Sequence, residues 1–370
     1  MNILVIGGAG VTGTVIVRQL LARGCDVTIL HRGVHTPDLP DSVARIHADP
    51  YAKDGLTAAL EGKHFDAVIA TYGRLRHVAQ ALLGHTTRLI SIGGAAPVYK
   101  GWGEMMAPNP WETTQPTPLF LDEDHPLASE ETADPFSMAV RKTEMDILGF
   151  HQAGHFNVTH FRYPLVYGPN NICPAEWGLI RRAREKRTPL ILPAGGLTLV
   201  SRGFADNIAH AVVLAVENPS ASAGQIYNIC DDRLLYNQQW VTLLGDILRH
   251  RFDTIDIPFS ALPAGFRATP PQLLYRHHCV LDISKIKEQL GYRDVVTVEE
   301  ALERTVKYYM DNPLADGSEA EQNLGDPFDY GYEDAFIAAW QKHGENFYSE
   351  RDALPAPKVV WKHPYQQPAK

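Results

Sequence analysis

The feature that most constrains this chain is the run Gly7-Gly8-Ala9-Gly10-Val11-Thr12-Gly13, set between two patterned segments at its beginning. Residues 2–6 (NILVI) are a short apolar run ending in glycines, the pattern of a parallel strand buried on both faces. From Val11 to Arg23 the spacing turns helical, with Val15, Leu20 and Leu21 apolar and Arg18 and Arg23 polar, and Gly24 closes the helix. The turn between them reads G-x-x-G-x-x-G. Glycine is needed there because the turn is tight and a Cβ would collide with a pyrophosphate, while the helix start offers free N–H groups and a positive dipole end. The triplet alone is a weak signal, but strand, turn and helix in this order supply its context. Gly7, Gly10, Val11, Thr12 and Gly13 are therefore expected at a bound dinucleotide. The competing reading is a fold that keeps the loop without the ligand.

Strands continue to alternate with helices. VTIL (27–30), RIHADP (45–50), DAVIATYG (66–73) and RLISIGG (88–94) read as strands, and DGLTAALEG and HVAQALLGH as helices between them. That order predicts an α/β fold, a Rossmann-type doubly wound parallel sheet. Thr71, Gly73 and Ser91, at the ends of the fourth and fifth strands, join the expected cofactor contacts. The second strand ends in His31-Arg32-Gly33, without the acid that accepts from a ribose 2′-OH in NAD sites. Arg32 can instead face a 2′-phosphate, which favours NADP over NAD, unless it is a solvent-exposed arginine. Asp49 closes the third strand, either against the adenine amino group or as an Asx-turn before Pro50.

Residues 97–135 read as a long loop, 136–153 as a helix and 157–169 as a strand ending at Gly168-Pro169. From about 170 the pattern changes. GLIRRAREKR is a basic helix, a solvated face or a nucleotide-sugar contact. LILPAGGLTLV is hairpin-like about Gly195-Gly196, and VTVEEALERTVKYYM is an amphipathic helix with Thr297 and Glu300 at capping-box spacing. The expected organisation is a dinucleotide-binding domain over 1–169, its sheet completed by parts of 200–232. A smaller, mainly substrate-binding part follows over 170–312, then a C-terminal extension over 313–370. That extension wraps the core, covers the site or forms a subunit contact, and the sequence does not choose.

Forty-three acids against 34 bases give a net charge of −9, which disfavours a general nucleic-acid binder. Cys25, Cys173, Cys230 and Cys279 form no C-x-x-C and read as reduced thiols of a cytoplasmic protein. No signal peptide and no apolar run long enough for a bilayer span is seen. Sixteen histidines include His151 and His155 at i, i+4, yet no Glu or Cys completes a metal set, so no metal is expected.

With these residues in view, the chain resembles an extended or atypical short-chain dehydrogenase/reductase of the NAD-dependent epimerase/dehydratase group, over roughly 1–312. The likeness rests on GGAGVTG, the HRG and HADP positions, LDEDHPL, FRYPLVYGPNN, GFADNIAHA and LDISKIKEQLGY. The resemblance implies a Tyr-x-x-x-Lys pair on a helix and a Ser or Thr after the fifth strand. A lysine one turn from a tyrosine stabilises the phenolate, which then exchanges a proton while nicotinamide moves hydride. No tyrosine in this chain has a lysine four residues on. Aligning Pro135 and Glu144 with the family pattern puts Phe136 at the tyrosine and Val140 at the lysine, and Gly94 or Ala95 falls at the hydroxyl.

Three residues are candidates to replace them. Tyr99 follows the fifth strand and is the leading acid/base, its alternative being an aromatic packed under the loop. Lys142 lies two residues past the lysine position, about 200° around a helix, and should face elsewhere unless the helix is reset. Tyr163 lies by resemblance beside the nicotinamide turn, where Pro164 and Val166 line the cofactor; a buried, hydrogen-bonded tyrosine is the alternative. Asp122, Glu123 and Asp124 read as structural. Arg202, near Asp206, holds a phosphate or carboxylate, or forms a surface ion pair.

The first hypothesis is an NADP-preferring oxidoreductase or epimerase of a small polar substrate, with an unusual proton donor. The second is a redox-silent dinucleotide sensor. The resemblance further implies a homodimer built through the helix carrying Phe136.

Overall fold

The computed structural model describes residues 1–33, 37–71, 74–94, 98–102, 116–131, 133–263 and 265–354. Gly73 and Ala95 lie outside the described residues. The first βαβ unit forms where the pattern placed it: β1 (Asn2–Ile6), α1 (Val11–Leu21) and β2 (Asp26–His31). β3 (Ala44–His47), α2 (Lys53–Leu60), β4 (Ala67–Ala70), α3 (Leu75–Ala81) and β5 (Arg88–Gly94) follow. After them come α4 (Pro135–Gln152), β6 (Asn157–Tyr163) and β7 (Leu165–Tyr167). The later elements are α5 (Trp177–Arg184), β8 (Pro189–Pro193), β9 (Arg202–Phe204), α6 (Ala205–Glu217), β10 (Gln225–Asn228), α7 (Asn237–Leu248) and β11 (Asp253–Ile257). They are followed by α8 (Ser284–Leu290), α9 (Val298–Asp311), α10 (Glu319–Gln322) and α11 (Tyr330–Asp352).

The main sheet has seven parallel strands in the order β10-β6-β5-β4-β1-β2-β3. Strand alternation divides the core into two layers. Ile3 and Val5 pack with α1 and α6 residues on one face, while Leu4 and Ile6 pack with Leu56, Val78 and Ile147 on the other. The order reverses between β1 and β4, and that crevice at the carboxyl ends of the strands is where this architecture binds ligands.

Two sequence expectations change. The strand expected over 157–169 is broken at Pro164, which has no N–H for a ladder. β7 then leaves the main sheet and pairs in parallel with β9. The segment around Gly195-Gly196 is not a hairpin. β8 pairs in parallel with β11 instead, and the two glycines make a tight left-handed turn at φ 63° and 68°. A Cβ on Gly196 would lie 2.8 Å from the Gln238 amide nitrogen, so the chain closes onto α7 there. Thr297 does cap α9, its hydroxyl accepting from the Glu300 N–H.

The chain divides into two compact units, Met1–Pro327 and Phe328–Lys370. The start of the expected extension thus belongs to the first unit. Glu321 accepts from Trp177 Nε1 at 2.8 Å and pairs with Arg181, and Asp326 pairs with fully buried Arg182. Arg181 and Arg182 of the basic helix therefore pack beneath residues 319–326, while Arg184 and Lys186 stay on a solvated face. The second unit carries the 23-residue helix α11. No described helix is long and apolar enough to cross a membrane.

Candidate active site

The glycine turn is built to admit a phosphate. Gly7 adopts φ 87°, and Gly10 N–H donates to the Gly7 carbonyl at 2.9 Å as the chain enters α1. A Cβ on Gly8 would lie 2.6 Å from the Ile29 side chain, and one on Gly13 would fall onto the Gly7 carbonyl oxygen. The helix therefore seats directly on β1 and β2. α1 has no acid in its first turn, and the Thr12 hydroxyl is buried with no hydrogen-bond partner among the described residues. An acid-free helix start with an orphaned hydroxyl and no room for side chains fits a dinucleotide pyrophosphate.

Around this turn, Thr71 follows β4 and its hydroxyl donates to the Ile6 carbonyl at 3.0 Å. Arg32 is exposed at the end of β2, its guanidinium 5.6 Å from the Tyr51 ring centroid. Asp49 accepts from the Tyr51 N–H at 3.0 Å, which is the Asx-turn geometry.

Beyond β4 and β5 a cleft of about 670 Å³ is walled by Thr71, Gly93, Gly94, Phe136, Val140, Lys142, His160 and Tyr163. Phe136 is 55% exposed. The two positions aligned with the family's tyrosine and lysine therefore face the cleft with no titratable group. Lys142 lines the same cleft despite its 200° offset, because the opening wraps around the exposed start of α4. Tyr163 lines it too.

Tyr99 and Ser91 lie beneath this surface, each with no exposed area. Tyr99 donates to Asn228 Oδ1 at 2.7 Å and accepts from Arg162 at 2.8 Å. Burial pushes its hydroxyl up to about 12 against the pull of Arg162. It thus matches the alternative stated for it, an enclosed aromatic. Ser91 bonds His160 Nδ1 at 2.8 Å instead of facing the cleft. The chain of contacts continues from His160 to Glu144 and Arg162, the last two joined by bonds of 2.6 and 2.8 Å. Glu123 completes it: its carbonyl accepts from Arg162 and its carboxylate from the Asn228 N–H. The reading of Glu123 as structural agrees with these contacts.

A second cavity, of about 500 Å³, runs from Val11 at the start of α1 along Pro164, Val166 and Tyr167 to Asn171, Glu176, Arg202, Arg267 and Tyr275. Leu324 and Gly325 also line it. Arg202 is 6% exposed. It donates to Asn237 Oδ1 at 2.8 Å and lies 4.4 Å from the Trp240 ring centroid, with no carboxylate in ion-pair range among the described residues. Burial lowers it to about 10, still charged at neutral pH. The surface pair with Asp206 is excluded, since Asp206 faces Arg304 at 3.3 Å. Glu176, Arg267 and Tyr275 carry no motif that sequence reasoning could have used. A lone glutamate before a basic helix reads as a dipole partner of that helix.

A family model described as "NAD dependent epimerase/dehydratase family" matches residues 3–87 and 110–230. A curated relative, the 3-diazoavenalumate denitrifying reductase of a Streptomyces species, is 26% identical over 252 residues, 65% of this chain and 79% of the relative. Among solved structures, the UDP-glucose 4-epimerase of Thermotoga maritima with UDP-glucose aligns with a TM-score of 0.66 at 19% identity. That alignment covers 84% of this chain and 99% of the epimerase. The UDP-glucuronic acid 4-epimerase of Bacillus cereus, in complex with UDP-glucuronic acid and NAD, gives 0.64 at 19% identity, covering 84% and 100%. The glycine turn, the seven-stranded order and a family match over more than half of the chain agree: this protein belongs to the NAD-dependent epimerase/dehydratase family.

Proposed function

We propose that this protein is an NAD(P)-dependent oxidoreductase or epimerase of a small polar, anionic substrate, with NADP preferred and a proton donor other than Tyr-x-x-x-Lys. The observation that carries the reading is the cavity that joins Val11, at the dinucleotide turn, to an unpaired buried Arg202. A buried guanidinium without a carboxylate is costly unless a ligand supplies the anion.

Gly7, Gly10 and Gly13 with the N–H groups of α1 would hold the pyrophosphate, Thr71 would flank it, and Arg32 would meet a 2′-phosphate. When bound, the nicotinamide supplies a hydride donor or acceptor. Pro164 and Val166 shape the wall between cofactor and substrate, and Arg202 and Arg267 orient the substrate's acidic group. Residues 170–312 supply most of the substrate wall. Lys142 and Tyr163 keep polar groups at the cleft that Phe136 and Val140 leave without one. The family likeness extends the reading to a cytoplasmic homodimer.

The second reading, a redox-silent sensor, is favoured by Phe136 and Val140 at the cleft and by the enclosure of Tyr99. A panel of sugar nucleotides and anionic alcohols, followed by nicotinamide absorbance with NADP⁺ and NAD⁺, separates the two. Reduction with any member supports the enzyme. Tight cofactor binding with no redox change, free or protein-bound, supports the sensor.

A further inference from the structure

Glu176 is 2% exposed, and its Oε2 has no hydrogen-bond partner among the described residues. A buried carboxyl oxygen is almost always satisfied, so an orphan calls for an explanation. Glu176 lies in the residue just before α5 and lines the cavity that reaches Val11 and Pro164. The cation whose charge acts on it is Arg202, which holds Asn237 and stacks on Trp240. A carboxyl and a guanidinium thus share one cavity without neutralising each other.

We propose that Glu176 is the proton-handling residue of this cavity, exchanging a proton with the hydroxyl or carbonyl oxygen of a small substrate whose acidic group rests on Arg202. The proposal rests on the reading of this cavity as the substrate site. In the oxidising direction the Glu176 carboxylate takes the hydroxyl proton as the carbon loses hydride to the nicotinamide. In the reducing direction the carboxylic acid returns that proton to the oxygen, so charge and atoms balance.

The environment suits both directions. Burial pushes the carboxyl up to about 7, with Arg202 and the residue's own backbone N–H pulling the other way. Arg202, Tyr167, Tyr309 and Cys173 couple to it electrostatically, burial raising the last three so that they stay neutral near pH 7, and Arg267, Arg276, His277 and Tyr275 line the same cavity. A proton donor with a pKa near the working pH is the efficient one.

The test uses the full chain with carbon-13 in its glutamate carboxyls, titrated by NMR, with UDP as the anionic probe. One carboxyl should titrate near neutrality and vanish in Glu176→Gln. Saturating UDP should move that titration upward, because an anion on Arg202 removes the cation's pull. A folded-state pKa above the unfolded value makes stability fall as pH rises between the two. Glu176→Gln should therefore melt higher than wild type at pH 8 and not at pH 5. In turnover that variant should lose about 10²–10⁴-fold in rate while NADH affinity holds. A Glu176 carboxyl still ionised at pH 5.5, a titration unmoved by UDP, or a glutamine variant as fast as wild type overturns the proposal. Loss of NADH binding in wild type would instead overturn the functional reading, and the carboxyl titration would stand or fall by itself.

Discussion

Arg162→Met is the perturbation whose consequence can be worked most fully. Arg162 and Glu144 are each 2% exposed and joined by two hydrogen bonds of 2.8 and 2.6 Å. Arg162 also holds the Tyr99 hydroxyl at 2.8 Å and the Glu123 carbonyl at 3.1 Å. His160, 3.4 Å from Glu144, is pushed by burial down to about 4 and brings no charge at neutral pH. Removing Arg162 therefore strands a buried carboxylate, at a cost of about 3–5 kcal/mol. Glu144→Leu strands the guanidinium at a similar cost, and the double variant should lose clearly less than the sum, with a coupling of about 1–3 kcal/mol.

The pH dependence gives this prediction a sign. Burial works to raise the Glu144 carboxyl, but the Arg162 hydrogen bonds and charge outweigh it and hold the group below its usual range. Its contribution is present above the unfolded carboxyl pKa of about 4.3 and is lost as pH falls through the folded value. In Arg162→Met the shift reverses, so the destabilisation should be smaller at pH 5 than at pH 8. Urea unfolding of the four proteins at both pH values measures this. Additive single-variant losses, or a loss independent of pH, would show that Arg162 and Glu144 do not act as a buried ion pair.

Other substitutions separate packing from binding. Gly13→Ala places a methyl on the Gly7 carbonyl oxygen, costs about 1–3 kcal/mol, and should abolish measurable NADH binding in a fluorescence titration. Gly24→Ala, at φ 73° with open space around it, should cost about 1–2 kcal/mol and leave NADH affinity unchanged. Arg32→Ala should weaken NADPH binding by about 10–100-fold with little change for NADH; equal losses would remove it as the 2′-phosphate contact. Arg202→Leu should weaken UDP binding at least tenfold, as calorimetry would show, and should cost about 1–3 kcal/mol because it leaves the buried Asn237 Oδ1 without its donor.

Much of the fold was legible because its causes are local. Short apolar runs and helical spacing placed β1 to β5 and α1 to α3, and RLISIGG is a strand over Arg88–Gly94 as read. Pro164 could have been read as a strand break from its missing N–H. Gly195 and Gly196 misled because a glycine pair permits a left-handed turn between non-paired segments as readily as a hairpin; the choice was made by β11, some 60 residues later.

At the site, the glycine turn was readable because backbone geometry alone demands glycine there. Tyr99 was not, because only the tertiary fold brings Asn228 and Arg162 to its hydroxyl. Glu176 and Arg202 depend in the same way on burial by residues 267–277 and 324–325, distant in sequence.

The proposed function requires that the turn over Gly7–Gly13 hold a nicotinamide dinucleotide. A fluorescence titration of the purified protein with NADPH and NADH, preceded by a spectrum of the protein as isolated, tests it most directly. Saturable binding of both is expected, tighter for NADPH, or a cofactor already present that absorbs as nicotinamide. Absence of binding by either form, in a protein that arrives without one, would contradict it.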